Sequence, residues 1–377
     1  MLKFISSFLS LILFLFTGLP NIIIENKSAR TQNLQVQTER MEELSDIYNA
    51  GNYSPVNESK LAGFDVEKAY ADGVKFNEVA YIATHNSYQL TSVPSYQKVY
   101  RDLENVTFGL IKGDAPLYNS DTLTEQFNLG IRSIELDIQT VVNGDNVNFV
   151  CSHSPLLDMT SSCYDFSLAL EEIKMWSDAN PRHLPISIII EPKEFFLLEN
   201  GMRFFNAEYA NKLDELLRNT FGEKLITPAD MMGEHDSLRE MREADDWMKL
   251  EDCAGRVAVF FHDTDGVTSK YIKQDESIKT QAMFPMLRYK DRDKSYASVL
   301  IVNSPKDVSK YSEELIYEKN HIVRTMLDSF GNHDDEKRKL CLESDAQILS
   351  TDYPRKVDMS NVDYYVDFGN GCAKIIK

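Results

Sequence analysis

From Lys75 onward, short runs rich in β-branched and aromatic residues alternate with stretches whose apolar residues recur at helical spacing. No other feature constrains the fold as much, because such a chain pairs its strands in parallel and links them by crossover helices. Strands are predicted at residues 79–84, 132–138, 147–152, 186–191, 256–261, 298–302, 321–325 and 346–351. Between them Phe166, Ala169, Leu170, Ile173 and Trp176 keep helical spacing, as do Tyr209, Leu213, Leu216 and Leu217 ahead of Gly222. Eight strands close most economically into a (β/α)8 barrel of the TIM type. A doubly wound open sheet shows the same local pattern, and the long insertions favour the barrel. A chain of 377 residues can bury one large core, so a single catalytic domain is expected over residues 71–377.

Residues 130–139 read GIRSIELDIQ. Ile134, Leu136 and Ile138 share one parity, and Ser133, Glu135, Asp137 and Gln139 share the other. Successive strand side chains point to opposite faces, so the apolar set can meet helices while both carboxylates enter one space. Isolated carboxylates are costly to bury, and acids at i and i+2 can share one cation. An exposed polar face on an edge strand is the plain alternative.

In a barrel, chemistry gathers at the C-terminal ends of the strands. The first four runs end in Thr84-His85-Asn86-Ser87, Glu135-Leu136-Asp137, Ser152-His153-Ser154 and Ile190-Glu191-Pro192-Lys193. Glu191 closes a run that is apolar on both parities, which marks a central strand and requires a partner for the acid. Lys193 shares its parity, so a simple Glu–Lys pair at the rim is the competing reading. Asn86 has the opposite parity to His85 and turns inward only where the chain has bent past the strand end. The constellation is then Asn86, Glu135, Asp137 and Glu191, with His85 and His153 nearby. All-oxygen donors suit a hard dication, and spare positions for water or substrate favour Ca²⁺ over Mg²⁺. An anionic substrate needs further donors, available from a protonated histidine, Lys193 or Arg324.

The 40 basic and 59 acidic residues give a net charge of −19, which excludes nucleic acid as a natural partner and opposes strongly anionic membranes. At the N-terminus Lys3 precedes an apolar run over residues 4–16, as in a secretory leader. Residues 1–24 are read as a signal peptide, with an uncleaved anchor as the alternative, and the protein is expected to be secreted or extracytoplasmic. Residues 25–70 form a polar extension with one short helical candidate at 39–48. Export permits disulfides, and Cys151 and Cys163 are the nearest candidates; Cys253, Cys341 and Cys372 have no partner assignable from sequence. Asn26, Asn52, Asn57 and Asn105 begin N-x-[ST] sequons.

Several of these segments together resemble one family. THNSY at 84–88, LTEQFNLGIRSIELDIQ at 123–139, Ser152-His153-Ser154, W-x3-NPRHLPISIIIEPK ending at Lys193, IVRT at 322–325 and AQILSTDYP at 346–354 are similar to the calcium-dependent phosphatidylinositol-specific phospholipases C of the secreted bacterial and fungal type, within the PLC-like phosphodiesterases. The resemblance implies a distorted (β/α)8 barrel with Ca²⁺ at its mouth and a phosphatidylinositol-type lipid at a membrane surface as substrate. The products it implies are diacylglycerol and inositol 1,2-cyclic phosphate. Asn86, Glu135, Asp137 and Glu191 fall on the family's calcium ligands, and His85 and His153 on its two histidines; a monomer is expected. Animal relatives carry phosphate-binding lysines on the fifth strand, whereas residues 256–263 read RVAVFFHD, so plain or glycosylated phosphatidylinositol is favoured over headgroups with extra phosphates.

The chemistry follows from the substrate. The inositol 2-hydroxyl lies beside the phosphorus, so internal attack needs a base, a charge clamp and an acid for the leaving alcohol. His153 is assigned as general acid and His85 as donor to the phosphoryl oxygen or base; Glu135 is a second candidate base. A glycerophosphodiester phosphodiesterase is the enzymatic alternative, but its first strand ends His-Arg-Gly where this one ends His-Asn-Ser. A catalytically silent lipid-binding barrel would lack one of these residues, and none is missing.

Overall fold

Eight strands that are buried along almost their whole length pair in parallel and close on themselves. They are β1 (Val79–Thr84), β2 (Ser133–Asn143), β3 (Ile186–Pro192), β4 (Val257–His262), β5 (Phe284–Arg288), β6 (Val299–Ile301), β7 (Ile322–Met326) and β8 (Ile348–Thr351). Each pairs with its successor except that β8 returns to β1, and the narrowest seam is β1–β2, joined at Ala83 and Ser133. This computed structural model describes residues 18–106, 113, 117–193, 201–262, 266–329, 332–354 and 364–377.

Strand parity divides the core. Ile134, Leu136 and Ile138 of β2 and Ile188 and Ile190 of β3 face outward against Phe166, Leu170, Ile173 and Trp176 of the helix Phe166–Ala179. That helix starts where the Asp165 carboxylate accepts the Leu168 N–H. Ile189, Phe260, Met286 and Val299 instead fill the barrel interior. Ser133, Glu135, Asp137 and Gln139 share the inward parity, and all are buried.

The expected count of eight holds, but its membership changes. Residues 147–152 belong to a strand, Asn146–Cys151, that runs antiparallel to β2 as the return arm of a hairpin outside the barrel. Only Gly144 and Asp145 separate the two arms, far too few for a parallel crossover. The missing barrel strand is β5, whose short FPMLR run contains Pro285 and so reads poorly as a central strand. The run at 256–261 is therefore the fourth strand, and the comparison with lysines of a fifth strand was made at the wrong place. The true fifth strand ends in Arg288, with Lys290 just beyond it.

The polar N-terminal stretch also differs. In place of a short helix at 39–48 there is one 31-residue helix, α1 (Leu19–Asn49), which runs through position 24 unbroken and lies along the helix Phe166–Ala179. Its buried face holds Ile22, Met41 and Leu44 but also Asn26 and Gln37, and these amides interrupt the apolar periodicity a sequence reading depends on. Most of the leader, residues 1–17, lies outside the described residues. Among the described residues no helix is long and apolar enough to cross a membrane. The sequon asparagines Asn52, Asn57 and Asn105 are exposed, whereas Asn26 is 1% exposed.

Cys151 and Cys163 do not form the expected bridge. All five cysteines are free and buried. The antiparallel bridge between Val150 and Asp165 sets Tyr164, not Cys163, opposite Cys151, whose N–H donates to Tyr164 O at 2.9 Å.

Candidate metal centre and active site

Asp137 of β2 and Glu191 of β3 are register partners on adjacent strands, so both inward-pointing carboxylates leave the sheet at one height near the C-terminal rim. Glu135 sits one inward position deeper. Oxygens of Glu135, Asp137 and Glu191 lie within 4.8 Å of one another. Asn86 joins them by the bend that its parity requires: its φ of +45° is a left-handed conformation that Asn tolerates better than most residues. Ser87 fixes the bend, donating its N–H to Glu135 O at 2.9 Å while its Oγ accepts the Glu135 N–H at 2.8 Å. The Tyr88 hydroxyl then donates to Asp137 Oδ2 at 2.7 Å and stands 3.5 Å from Asn86 Oδ1.

Three cationic groups face the acids. Lys193 Nζ lies 3.2 Å from Asp137 Oδ2 and 2.9 Å from Glu191 Oε1. Arg324 is 1% exposed and places Nη2 2.6 Å from Glu135 Oε2, while Ser350 Oγ and Asn303 Oδ1 accept from its other nitrogens at 3.0 and 2.6 Å. Its guanidinium is thus turned to Glu135 rather than offered to a ligand, as had been expected. His85 Nδ1 is 3.0 Å from Asp352 Oδ1, and its Nε2 is 3.8 Å from Glu135 Oε1.

These contacts separate the protonation states. Burial works against a charged His85, but Asp352 and Glu135 outweigh it and raise its pKa to about 9. Glu135 resists its own burial through Arg324 and His85 and falls to about 2. Burial likewise disfavours the Glu191 anion, yet Lys193 and His262 hold its carboxyl below the usual range. Asp137 goes the other way: burial, against the pull of Lys193 and with Glu191 and Glu135 adding repulsion, lifts it to about 7. Its Oδ1 is buried without a hydrogen-bond partner. Among the described residues, then, Lys193, Arg324 and His85 match the three carboxylates in number, but His85 is shared with Asp352, so four acids meet three cations, and one buried oxygen of Asp137 has no partner. Oxygen donors, acids in excess of cations and an unengaged buried acceptor together fit a hard dication.

His153 reaches this mouth from outside the barrel. The β2 hairpin carries the chain past the rim and back, and the Ser152 N–H donates to Asp137 O at 3.2 Å. His153 keeps 39% of its side chain exposed and places Nδ1 3.9 Å from Asp158 Oδ2. The surrounding wall still lowers its pKa by withdrawing water, with Lys193 and His85 adding to the effect. All eight residues singled out from sequence therefore line one mouth, although His153 does not end a barrel strand.

Sequence reading missed Asp352, His262 and Asn303. Asp352 follows β8, His262 closes β4 and Asn303 stands two residues beyond β6. The rule that found the others, asking what ends each strand, was applied to four runs and would have found these on the remaining four. Beside the carboxylates opens a cleft of about 610 Å³ lined by His262, Arg288, Asn303, Ser304 and the stacked rings of Tyr289 and Tyr311, whose centroids are 4.4 Å apart.

Residues 145–376 match the sequence model of a family described as phosphoinositide phospholipase C, Ca²⁺-dependent. The match includes His153, Glu191, Lys193, Arg324 and Asp352 and begins beyond Asp137. Among solved structures the chain is similar to a calcium-dependent phosphoinositol-specific phospholipase C from a Pseudomonas species. Identity is 19% over 80% of this chain and 95% of that one, with a TM-score of 0.55. The myoinositol complex from the same genus aligns at 17% identity over 86% and 100% of the two chains, also at 0.55. A Ca²⁺-dependent phosphatidylinositol-specific phospholipase C from Streptomyces antibioticus aligns at 17% identity over 74% and 95%, with a TM-score of 0.51. At these identities the structures establish a shared barrel. No curated protein matches the chain.

Proposed function

The chain belongs to the Ca²⁺-dependent phosphoinositide phospholipase C family, and from that membership we propose that it cleaves phosphatidylinositol, or a glycosylated form, into diacylglycerol and inositol 1,2-cyclic phosphate. One observation carries this reading: oxygens of Glu135, Asp137 and Glu191 converge within 4.8 Å, with His85 beside Glu135 and His153 close enough to interact with Glu191 and Lys193. Glu135, Asp137, Glu191 and Asn86 would hold the calcium ion, which would supply the charge that clamps the phosphate and acidifies the 2-hydroxyl.

The protein's own groups do the rest. His85, protonated and oriented by Asp352, presents its second N–H to a phosphoryl oxygen. Glu135 Oε1, the oxygen that Arg324 does not engage, accepts the hydroxyl proton; a weak base suffices for an acidified alcohol. His153, on the loop beyond the β2 hairpin, protonates the departing diacylglycerol oxygen. It is neutral in part because Lys193 and His85 are close, and a phosphodiester anion drawn between them offsets those charges and returns its proton. Lys193 adds a cation for the phosphate, and the cleft beside His262 gives the inositol ring its space. An extracytoplasmic site of action completes the reading, supported by the charged and then apolar residues 1–16.

The test is diacylglycerol release from phosphatidylinositol vesicles by the purified chain, with calcium and with excess chelator. Release should stop in chelator and return when calcium is restored. Full activity in chelator would remove calcium from the mechanism.

A further inference from the structure

The loop that follows His153 is not held by the barrel alone. Ser154 and Asp158 exchange backbone hydrogen bonds at 2.9 and 3.0 Å, closing a tight turn in which Leu156 adopts φ +64°. A bulky residue is strained in that region and persists only where neighbours hold it. The restraint comes from α1. Asn26 is buried, and its Nδ2 donates to Leu156 O at 3.2 Å and Leu157 O at 2.9 Å while its Oδ1 accepts the Met159 N–H at 3.0 Å. Three turns further along, Gln37 exchanges two hydrogen bonds with the backbone of Asp165, and Arg40 donates to Ser162 O at 2.7 Å. One helix face thus grips the whole segment that begins with His153 and ends at the cap of the helix Phe166–Ala179.

We propose that Asn26 is a positioning residue for the reaction, acting through His153: its carboxamide fixes the strained turn and so fixes where the imidazole stands in the mouth. The proposal rests on the phospholipase reading for its catalytic consequence, but not for the clamp itself. The turn also contains Asp158, which His153 Nδ1 faces at 3.9 Å and whose own oxygens accept from Ser92, Thr160 and Gln89. Release of the turn therefore moves both the imidazole and its nearest acid. The same contacts make the sequon at Asn26 a poor glycan acceptor in the folded chain, since every polar atom of the carboxamide is engaged and the side chain has no exit.

Two variants of the full chain test this, Asn26→Ala and the isosteric Asn26→Asp, which keeps the acceptor for Met159 and loses the bonds donated to Leu156 and Leu157 as well as the one to Ile22. Hydrogen exchange of the native chain and each variant reports the clamp directly. The amides of Ser154, Asp158 and Met159 should exchange at least about 10-fold faster in Asn26→Ala, and less so in Asn26→Asp, with β2 and β3 unchanged. Phosphatidylinositol turnover should fall roughly 10–100-fold in Asn26→Ala. In a His153→Ala background the same substitution should cost almost nothing more, because groups that act as one unit are non-additive. Unchanged exchange overturns the clamp, and an equal loss of turnover in both backgrounds overturns the positioning role. If the native chain releases no diacylglycerol at all, the phospholipase reading falls, while the exchange comparison still decides whether Asn26 holds the loop.

Discussion

Two histidines face one mouth with opposite protonation, and residue-level environment decides which is which. His85 touches Asp352 and approaches Glu135, which outweigh its burial, so it keeps its proton; His153 is held down first by its burial and then by Lys193 and the His85 charge, which Glu191 only partly opposes, so it gives its proton up. An acid that is charged only once an anionic substrate arrives is matched to a step that occurs only then. His153→Ala should therefore slow diacylglycerol release by roughly 10²–10⁴-fold, yet lose far less on an inositol phosphate ester of nitrophenol, whose leaving oxygen is stable as an anion. Comparing kcat on the two substrates checks this. An equal loss on both would mean that His153 binds phosphate rather than donating a proton. Asn86 teaches a different lesson at the same scale, since its side chain enters the site through φ +45° and not through strand alternation.

At the scale of elements, α1 packs along the helix Phe166–Ala179 and is tied to it by a buried ion pair. Arg40 Nε lies 3.0 Å from Glu172 Oε2, and the Glu172 side chain is fully buried on the helix Phe166–Ala179. Among the described residues, Arg40→Ala leaves that carboxylate with the Thr124 N–H alone, which donates to its other oxygen. The expected loss is about 3 kcal/mol, read as a lower denaturation midpoint with an unchanged slope. A midpoint equal to that of the native chain would show that α1 contributes little to stability. The sequence disclosed the elements unevenly, for physical reasons. Short runs of β-branched, aromatic and other apolar residues made β1, β2, β3 and β4 plain, and the alternation within β2 marked the site, because its inward and outward residues differ so sharply in chemistry. β5 was hidden by Pro285, and α1 by amides that satisfy their hydrogen bonds instead of repeating an apolar stripe. The return arm at Asn146–Cys151 looked like one more barrel strand because periodicity says nothing about direction. The two-residue loop at Gly144-Asp145 did carry that information. Asp352, His262 and Asn303 needed only the strand-end rule carried around the whole barrel.

The whole molecule combines a net charge of −19 with a mouth that gathers Lys193, Arg324, His85 and His262 around three acids. Repulsion between the acidic body and anionic lipid leaves attraction confined to that mouth, where a single phosphodiester can be seated while the membrane is not bound broadly. Closure of the barrel makes this possible, because β2, β3, β4, β7 and β8 each deliver a group to one rim from a different direction. In the proposed reaction the 2-hydroxyl of the bound inositol, and not water, attacks the phosphorus in a calcium-dependent site. Phosphorus NMR of phosphatidylinositol cleavage tests it most directly, since a five-membered cyclic phosphate has its own resonance. The inositol 1,2-cyclic phosphate signal should appear first, in calcium and not in chelator, with acyclic phosphate following later or hardly at all. Inositol monophosphate or glycerol phosphate as the first product, with no cyclic signal preceding it, would contradict internal transfer.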